Sequence, residues 1–330
     1  MITAFATGNP LTQKIWAKDW IDSSIDRSYF ARNGFIGTDE DNSIIWKRTD
    51  LQNQKGDTIY LGNVQELTNA GVPGDNPMEN NEEELDTYDD SLVIDQIRNA
   101  VRLEGAMTIQ RAATELRKYI RNVLRNWLAN KIDQDIFTAL GSSPTRVFYG
   151  GTATSTGSID STSKITFALI SKAKTNAIKI TPEIKTVMVD GLDIHVLVIH
   201  PEVYYDLKAD STYYGFLEYA QPRGMKNPLW TRSRLYADGV VIHEHRHVAT
   251  ASNWGTDNEQ PGATNLFLGA SSGAIAFAKQ RIWKEKLFDY DNSPGACVGS
   301  IFGVTKLGFN SEDLAVQALR TYRTSISEST

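Results

Sequence analysis

Three histidines fall within five residues, in the string His243-Glu244-His245-Arg246-His247. The string matches the bare H-E-x-x-H pattern of helical zinc hydrolases. There a helix puts both histidines on one face and the Glu serves as general base. Read that way, the chain is a metal-dependent hydrolase using His243 and His247. The flanking residues oppose it. Val240, Val241 and Ile242 follow the turn Asp238-Gly239, which favours a strand. On a strand the three histidines alternate onto one face about 6–7 Å apart, and a catalytic zinc would also need an open position for water. The cluster is therefore expected to be structural and to hold no metal.

Other chemistry-bearing residues are weaker. His195 and His200 flank a strand without acids at motif spacing. Cys297, the only cysteine, has no nearby His and rules out an intramolecular disulfide. It fits folding in a reducing cytoplasm. The carboxylates of residues 79–90 lie on a polar loop with nothing to desolvate them, so raised pKa values for acid–base work are not expected there. Nucleophile-elbow, phosphate-loop and dinucleotide motifs are absent. No catalytic residue and no cofactor is expected.

The element that organises the chain is a long amphipathic helix over Thr108–Leu140. Apolar residues recur at Ile109, Leu116, Ile120, Val123, Leu124, Trp127, Leu128, Ile132, Ile136 and Leu140, the helical period. Thr108 is a suitable N-cap, and Gly141 with Pro144 supplies the stop. At ~1.5 Å per residue this spine is roughly 50 Å long. Its polar side is basic: Arg111, Arg117, Lys118, Arg121, Arg125 and Lys131 stand against Glu115. Arg117, Arg121 and Arg125 repeat at steps of four and align along one face.

Just before the spine, Glu82, Glu83, Glu84 and neighbouring acids crowd a Gly/Pro/Asn-rich tip (71–81) between two strands, Thr58–Leu61 continuing outward and Leu85–Ile94 returning. Such a hairpin cannot bury a face on itself. Acidic loop and basic spine are either two solvated faces or the two sides of one contact between subunits.

Elsewhere, Leu11–Phe30 has a weak helical pattern and Ser43–Arg48 reads as a strand. Gly150–Ser163 is a Gly/Ser/Thr connection. A helix from 164 to 177, a hairpin about Asp190-Gly191 and a helix from Pro201 to Ala209 follow. Leu235–Ala237 pairs with Val240–His247 across Asp238-Gly239. Leu266–Leu268, Ala274–Ala278, Ile282–Phe288 and Ala296–Leu307 are strands, and the tail from Thr321 is expected to fray. With 330 residues, 41% hydrophobic and 22% charged, the chain has ample core. Its net charge of −6 argues against a dedicated nucleic-acid binder, although the basic helix is a local exception. Met1–Pro10 lacks the pattern of a secretory leader, and no apolar run reaches a membrane span.

The order of arm, acidic loop, spine, mixed domain and closing strands resembles the tailed-phage major capsid proteins with the Hong Kong-97-type fold. It is most similar to the capsid family typified by the podovirus N-four. The residues that carry the resemblance are Thr49-Asp50-Leu51 with Lys55-Gly56-Asp57-Thr58-Ile59, Ala70-Gly71-Val72 with Gly74-Asp75, and Glu82-Glu83-Glu84-Leu85 with Tyr88-Asp89-Asp90. Asp95-Gln96, Ala100-Val101-Arg102, Trp127-Leu128-Ala129, Ile132-Asp133, His200-Pro201-Glu202, Asp206-Leu207 and His243-Glu244-His245 continue it.

The resemblance implies an α+β fold. It divides into an N-terminal arm (1–50), an extended β-hairpin loop (51–104) and a peripheral domain with the spine helix (105–160). An axial domain (161–280) and closing strands of the peripheral domain (281–330) follow. It implies a non-enzymatic virion protein that self-assembles into hexamers and pentamers in the host cytoplasm. The resulting icosahedral shell encloses double-stranded DNA without sequence specificity. A separate scaffolding protein and a portal are the implied partners, and no membrane is involved. In that setting Glu82, Glu83 and Glu84 of one subunit are expected to meet Arg117, Arg121 and Arg125 of its neighbour.

Overall fold

The computed structural model describes residues 27–327 apart from 53, 65, 66, 68, 85, 86, 112–115, 190, 213, 214 and 216–234. A helical turn, α1 (Tyr29–Arg32), leads into β1 (Ile36–Gly37) and β2 (Ile45–Arg48). β3 (Thr58–Val64) and β4 (Thr87–Val93) form the excursion, and β5 (Asp95–Arg102) follows. The spine comprises α2 (Ala106–Arg111) and α3 (Leu116–Gly141). Then come β6 (Val147–Tyr149), α4 (Phe167–Lys179), β7 (Val187–Val189), β8 (Leu192–Ile199) and α5 (Pro201–Lys208). β9 (Leu235–Ala237), β10 (Val240–Glu244), β11 (Thr250–Trp254) and β12 (Gln260–Leu268) precede the longest strands, β13 (Gly273–Phe288) and β14 (Ser293–Lys306). β15 (Gly308–Phe309), β16 (Glu312–Asp313) and β17 (Val316–Tyr322) end the chain. The helix expected over Leu11–Phe30 lies outside the described residues except for its last few positions.

Two sheets share the spine. One runs β1-β2-β13-β14-β5; the other runs β6-β17-β12-β8-β10-β9, with β7 and β11 on its flanks. Leu124, Leu128, Ile132, Ile136 and Leu140 form one buried stripe of α3, as the steps of four require. That stripe enters a common core with Ile275, Phe277, Val298 and Phe302 of the first sheet and Val196, Val198, Leu266 and Leu268 of the second. Each such side chain contributes about 1.5–3 kcal/mol by leaving water.

Strand alternation then divides the remaining core. Leu197, Ile199 and Phe267 face the opposite way and pack on α4 and α5. Ala274 and Ala276 turn away from the spine toward Leu61 and Leu92 of the hairpin. β8 is thus covered on both faces, which explains its unbroken apolar run. Thr166 caps α4 by accepting from the Leu169 amide at 3.3 Å. His200 caps α5 by accepting from the Glu202 amide, also at 3.3 Å, ahead of Pro201.

Three sequence readings change. The boundary at 280 falls inside β13, which bulges between Phe277 and Ile282 and does not break there. β17, a strand absent from the sequence reading, lies within 281–330 yet pairs with β12 and β6. The tail does not fray at Thr321. Buried Asp206 accepts from Lys164 Nζ at 2.8 Å and from the Thr324 amide at 2.7 Å. Glu202 accepts from Arg323 and from the Ile326 amide. Those carboxylates hold residues 323–326 against α5, an anchorage invisible in a polar tail.

Candidate functional site

The excursion has a fixed root and a bare tip. β3 and β4 pair antiparallel from Thr58↔Val93 to Val64↔Thr87. At the root, Ile59, Leu61 and Leu92 are buried, and Asp90 accepts from the Gly308 amide at 2.6 Å. Burial raises the Asp90 carboxyl above its ordinary range, against that hydrogen bond. Tyr88 meets Phe309 edge-on at 4.8 Å. Gly303 of β14 lies under this root: a Cβ there would sit 2.1 Å from the Val93 carbonyl oxygen. Tyr60 on the outer face of the root, and Leu67 and Met78 beyond it, are all more than half exposed. Glu82 and Glu84 are exposed. Glu83 is half-buried and accepts from the Asn69 amide at 2.8 Å, closing the loop on itself.

Arg121 and Arg125 are half-buried on α3; Arg117 lies in the same helix, but its side chain is outside the described residues. Burial lowers the Arg125 guanidinium below its ordinary value, and the like charges of Arg27 and Arg121 lower it further. Tyr119 and Val123, one turn apart, are 67% and 48% exposed, so α3 shows water an apolar pair as well as charge. Sequence periodicity placed Val123 inside; the stripe of Leu124, Leu128 and Ile132 takes the core and leaves Val123 on the flank.

The structure places the three histidines at the end of one strand and in the turn after it. β10 ends at Glu244, so only His243 lies on a strand, paired with Val198 of β8. His245, Arg246 and His247 form a turn, closed by Val248 N–H donating to the His245 carbonyl. The expected alternation of three histidines on one strand face is corrected accordingly. Their rings serve as flat packing. His245 stacks on Phe137 at 4.8 Å and lies 4.4 Å from Tyr29, while His243 meets Phe35 edge-on at 5.1 Å. Burial, with His247 and Arg246 adding, pushes His245 down to about 4. Burial also lowers His247, with Arg246 adding and Asp133 opposing. Among the described residues no group of three or more His, Cys, Asp or Glu side chains could hold a metal ion. His195 is buried, with Nε2 donating to the Ile184 carbonyl at 3.1 Å. Cys297 is half-buried, its thiol 3.7 Å from the Val298 carbonyl.

Asp133, noted in the sequence only as part of Ile132-Asp133 in the spine, has a docking role that sequence reasoning did not assign. It accepts from Ser28 Oγ at 2.6 Å and from the Tyr29 and Phe30 amides at 2.8 and 3.4 Å. Those amides belong to the open first turn of α1, which its own N-cap side chain leaves unsatisfied. Burial raises the Asp133 carboxyl, and the three hydrogen bonds oppose that. A spine carboxylate thus docks the N-terminal segment. An Asp on the helix's apolar side was the available signal.

Anchored excursion, spine and two shared sheets have counterparts in known proteins. The sequence family described as phage capsid protein matches residues 4–143 and 136–322. A major capsid protein of Pseudomonas phage KPP25 is 31% identical over 340 residues, covering 86% of this chain and 88% of that relative. The capsid of Ralstonia phage GP4 is 28% identical, with a TM-score of 0.82 and 100% of both chains covered. The capsid asymmetric unit of cyanophage Pam1 is 22% identical, with a TM-score of 0.79 over 91% of this chain and 93% of that one. Nothing supports the hydrolase alternative. The fold is that of the Hong Kong-97 type, and the chain belongs to the phage capsid protein family as a shell-forming major capsid protein.

Proposed function

We propose that this chain forms hexamers and pentamers, and that the excursion of one subunit lies on the spine of the next. In this reading the eight-stranded sheet with α4 and α5 is the axial domain, and the five-stranded sheet with the spine is the peripheral one. Glu82, Glu83 and Glu84 face Arg117, Arg121 and Arg125 of the neighbour, a heterologous contact that closes into rings. Double-stranded DNA fills the shell, and a scaffolding protein and a portal take part in its assembly in the host cytoplasm. The protein performs no catalysis and needs no cofactor. Its motifs from Thr49 to Leu140 support the reading that it is kin to the branch typified by the podovirus N-four.

The observation that carries this reading is the excursion. Its root is packed into the core, and its tip exposes Leu67, Met78, Glu82 and Glu84 with no core of its own. A segment built so exposes surface that a second subunit can cover. Electron microscopy of the purified chain under assembly conditions tests it. Rings of six and five subunits, or closed particles, are expected; a chain that remains monomeric throughout overturns it.

A further inference from the structure

Beside the spine, Arg27, Arg32, Asn126, Ala129 and Asn130 line an open concavity of about 580 Å³. Arg27 precedes α1 and Arg32 is its last residue; Asp133 ties the turn down through Ser28, Tyr29 and Phe30. Both arginines are exposed, as is Arg246, which reaches the same rim. Arg27 and Arg246 donate to neutral groups. Arg27 Nη1 donates to Asn126 Oδ1 at 3.2 Å, and Arg246 Nη2 donates to Asn130 Oδ1 at 3.4 Å. Among the described residues none of the three has a carboxylate within ion-pair distance. With each asparagine oxygen occupied by an arginine, its amide N–H groups remain as donors. The concavity therefore presents several donors and concentrated positive charge on a chain of net charge −6.

We propose that this concavity binds a phosphodiester of the packaged nucleic acid. The inference rests on the reading of the chain as the shell around DNA, and it names the residues that would touch the cargo. A guanidinium fork matches the paired oxygens of a phosphate. Contacts of this kind hold a backbone without reading its sequence. A protein partner is the poorer occupant. Ala129 is the one apolar residue of the lining, and protein interfaces draw their energy from buried aromatic or aliphatic anchors.

The test measures binding of a short labelled duplex to the full-length chain between about 50 and 200 mM salt. Changing Arg27→Gln, Arg32→Gln and Arg246→Gln together should weaken binding by about tenfold or more at the lower salt. It should also reduce the slope of log affinity against log salt by about three. A control removing the same charge elsewhere, Lys172→Gln, Lys179→Gln and Lys208→Gln, should stay within about twofold. An equal loss in the control overturns the proposal. So does displacement of the duplex by inorganic phosphate at lower concentrations than by unlabelled duplex, since the site would then take the free ion. Stronger displacement by a peptide of residues 79–90 would assign the concavity to a neighbour's acidic loop and would also overturn it. Should the triple variant unfold, Arg246→Gln alone, in an exposed turn, should lower the slope by about one; no change refutes the proposal. Microscopy of the wild type reports separately on the shell, so shells with unaltered duplex binding sink this inference alone.

Discussion

The histidine turn and the acidic stretch both carry residue types suited to chemistry, and they sit in opposite surroundings. His243 and His245 are packed against Tyr29, Phe35 and Phe137, and burial keeps His245 neutral at ordinary pH. Glu82 and Glu84 stand in water on a loop without a core. In the first cluster His245 has lost its charge to packing, and its ring works as part of the interior. The second stands exposed, open to being matched by another surface. In a protein whose task is to join copies of itself, exposure of a fixed but uncovered segment says more about function than a motif does.

That contrast can be broken first at its buried end. Phe137→Ala removes the ring on which His245 stacks and should cost about 3–5 kcal/mol by the cavity left in the spine core. Urea denaturation of the two chains measures it. A loss below about 1 kcal/mol would mean that the cluster is not packed as described.

Acid gives the next effect. His245 has a folded value near 4, below its ordinary 6.5. The unfolded chain binds a proton in that interval that the native chain does not, so stability falls as pH drops from 6.5 towards 4. The loss should be about 1–2 kcal/mol, discounted because the ring is partly exposed. His245→Asn should flatten the profile across that window. An equally steep profile in the variant would assign the acid sensitivity to other groups.

Smaller still is the effect of the histidines on assembly. Changing His243→Asn and His247→Asn together should leave it largely intact, and elemental analysis should find no stoichiometric zinc. One metal per chain, lost in that variant, would reverse the reading. At the exposed end, amides of residues 71–84 should exchange rapidly in free subunits and slowly in shells, because ordering them has no intrinsic core to offset it. Strong protection in the monomer would contradict this.

The spine was legible because one side of a regular helix stays apolar for about seven turns, from Leu116 to Leu140. β10 was legible in Val240-Val241-Ile242 after an Asp-Gly turn. β5 was not, because its inward Ile97, Asn99 and Val101 alternate with Arg98, Ala100 and Arg102, so neither face reads as apolar. β17 hid behind Gln317, a fully buried amide inside a central strand. β13 looked like two strands because Lys279, Gln280 and Arg281 interrupt its apolar run where the bulges fall. Of the candidate surfaces, the acids and the arginines were visible as composition. Asp133 and the concavity beside it were not, since they arise where the N-terminal segment crosses the spine more than a hundred residues away.

The most direct measurement concerns the charge on the excursion. Each exposed pair contributes only ~0–1 kcal/mol, but the proposed contact would repeat at every subunit of a shell and would also set register and encounter rate. Glu82→Lys, Glu83→Lys and Glu84→Lys together should block or misdirect assembly, seen by sedimentation, while the subunit stays folded. Adding Arg117→Glu, Arg121→Glu and Arg125→Glu to the same chain should restore particles in part. Wild-type assembly should weaken as salt approaches 1 M, where the Debye length is ~3 Å. If the triple lysine chain forms shells at low salt as readily as the wild type, the acidic stretch is only a solvated face and the contact with the spine does not exist.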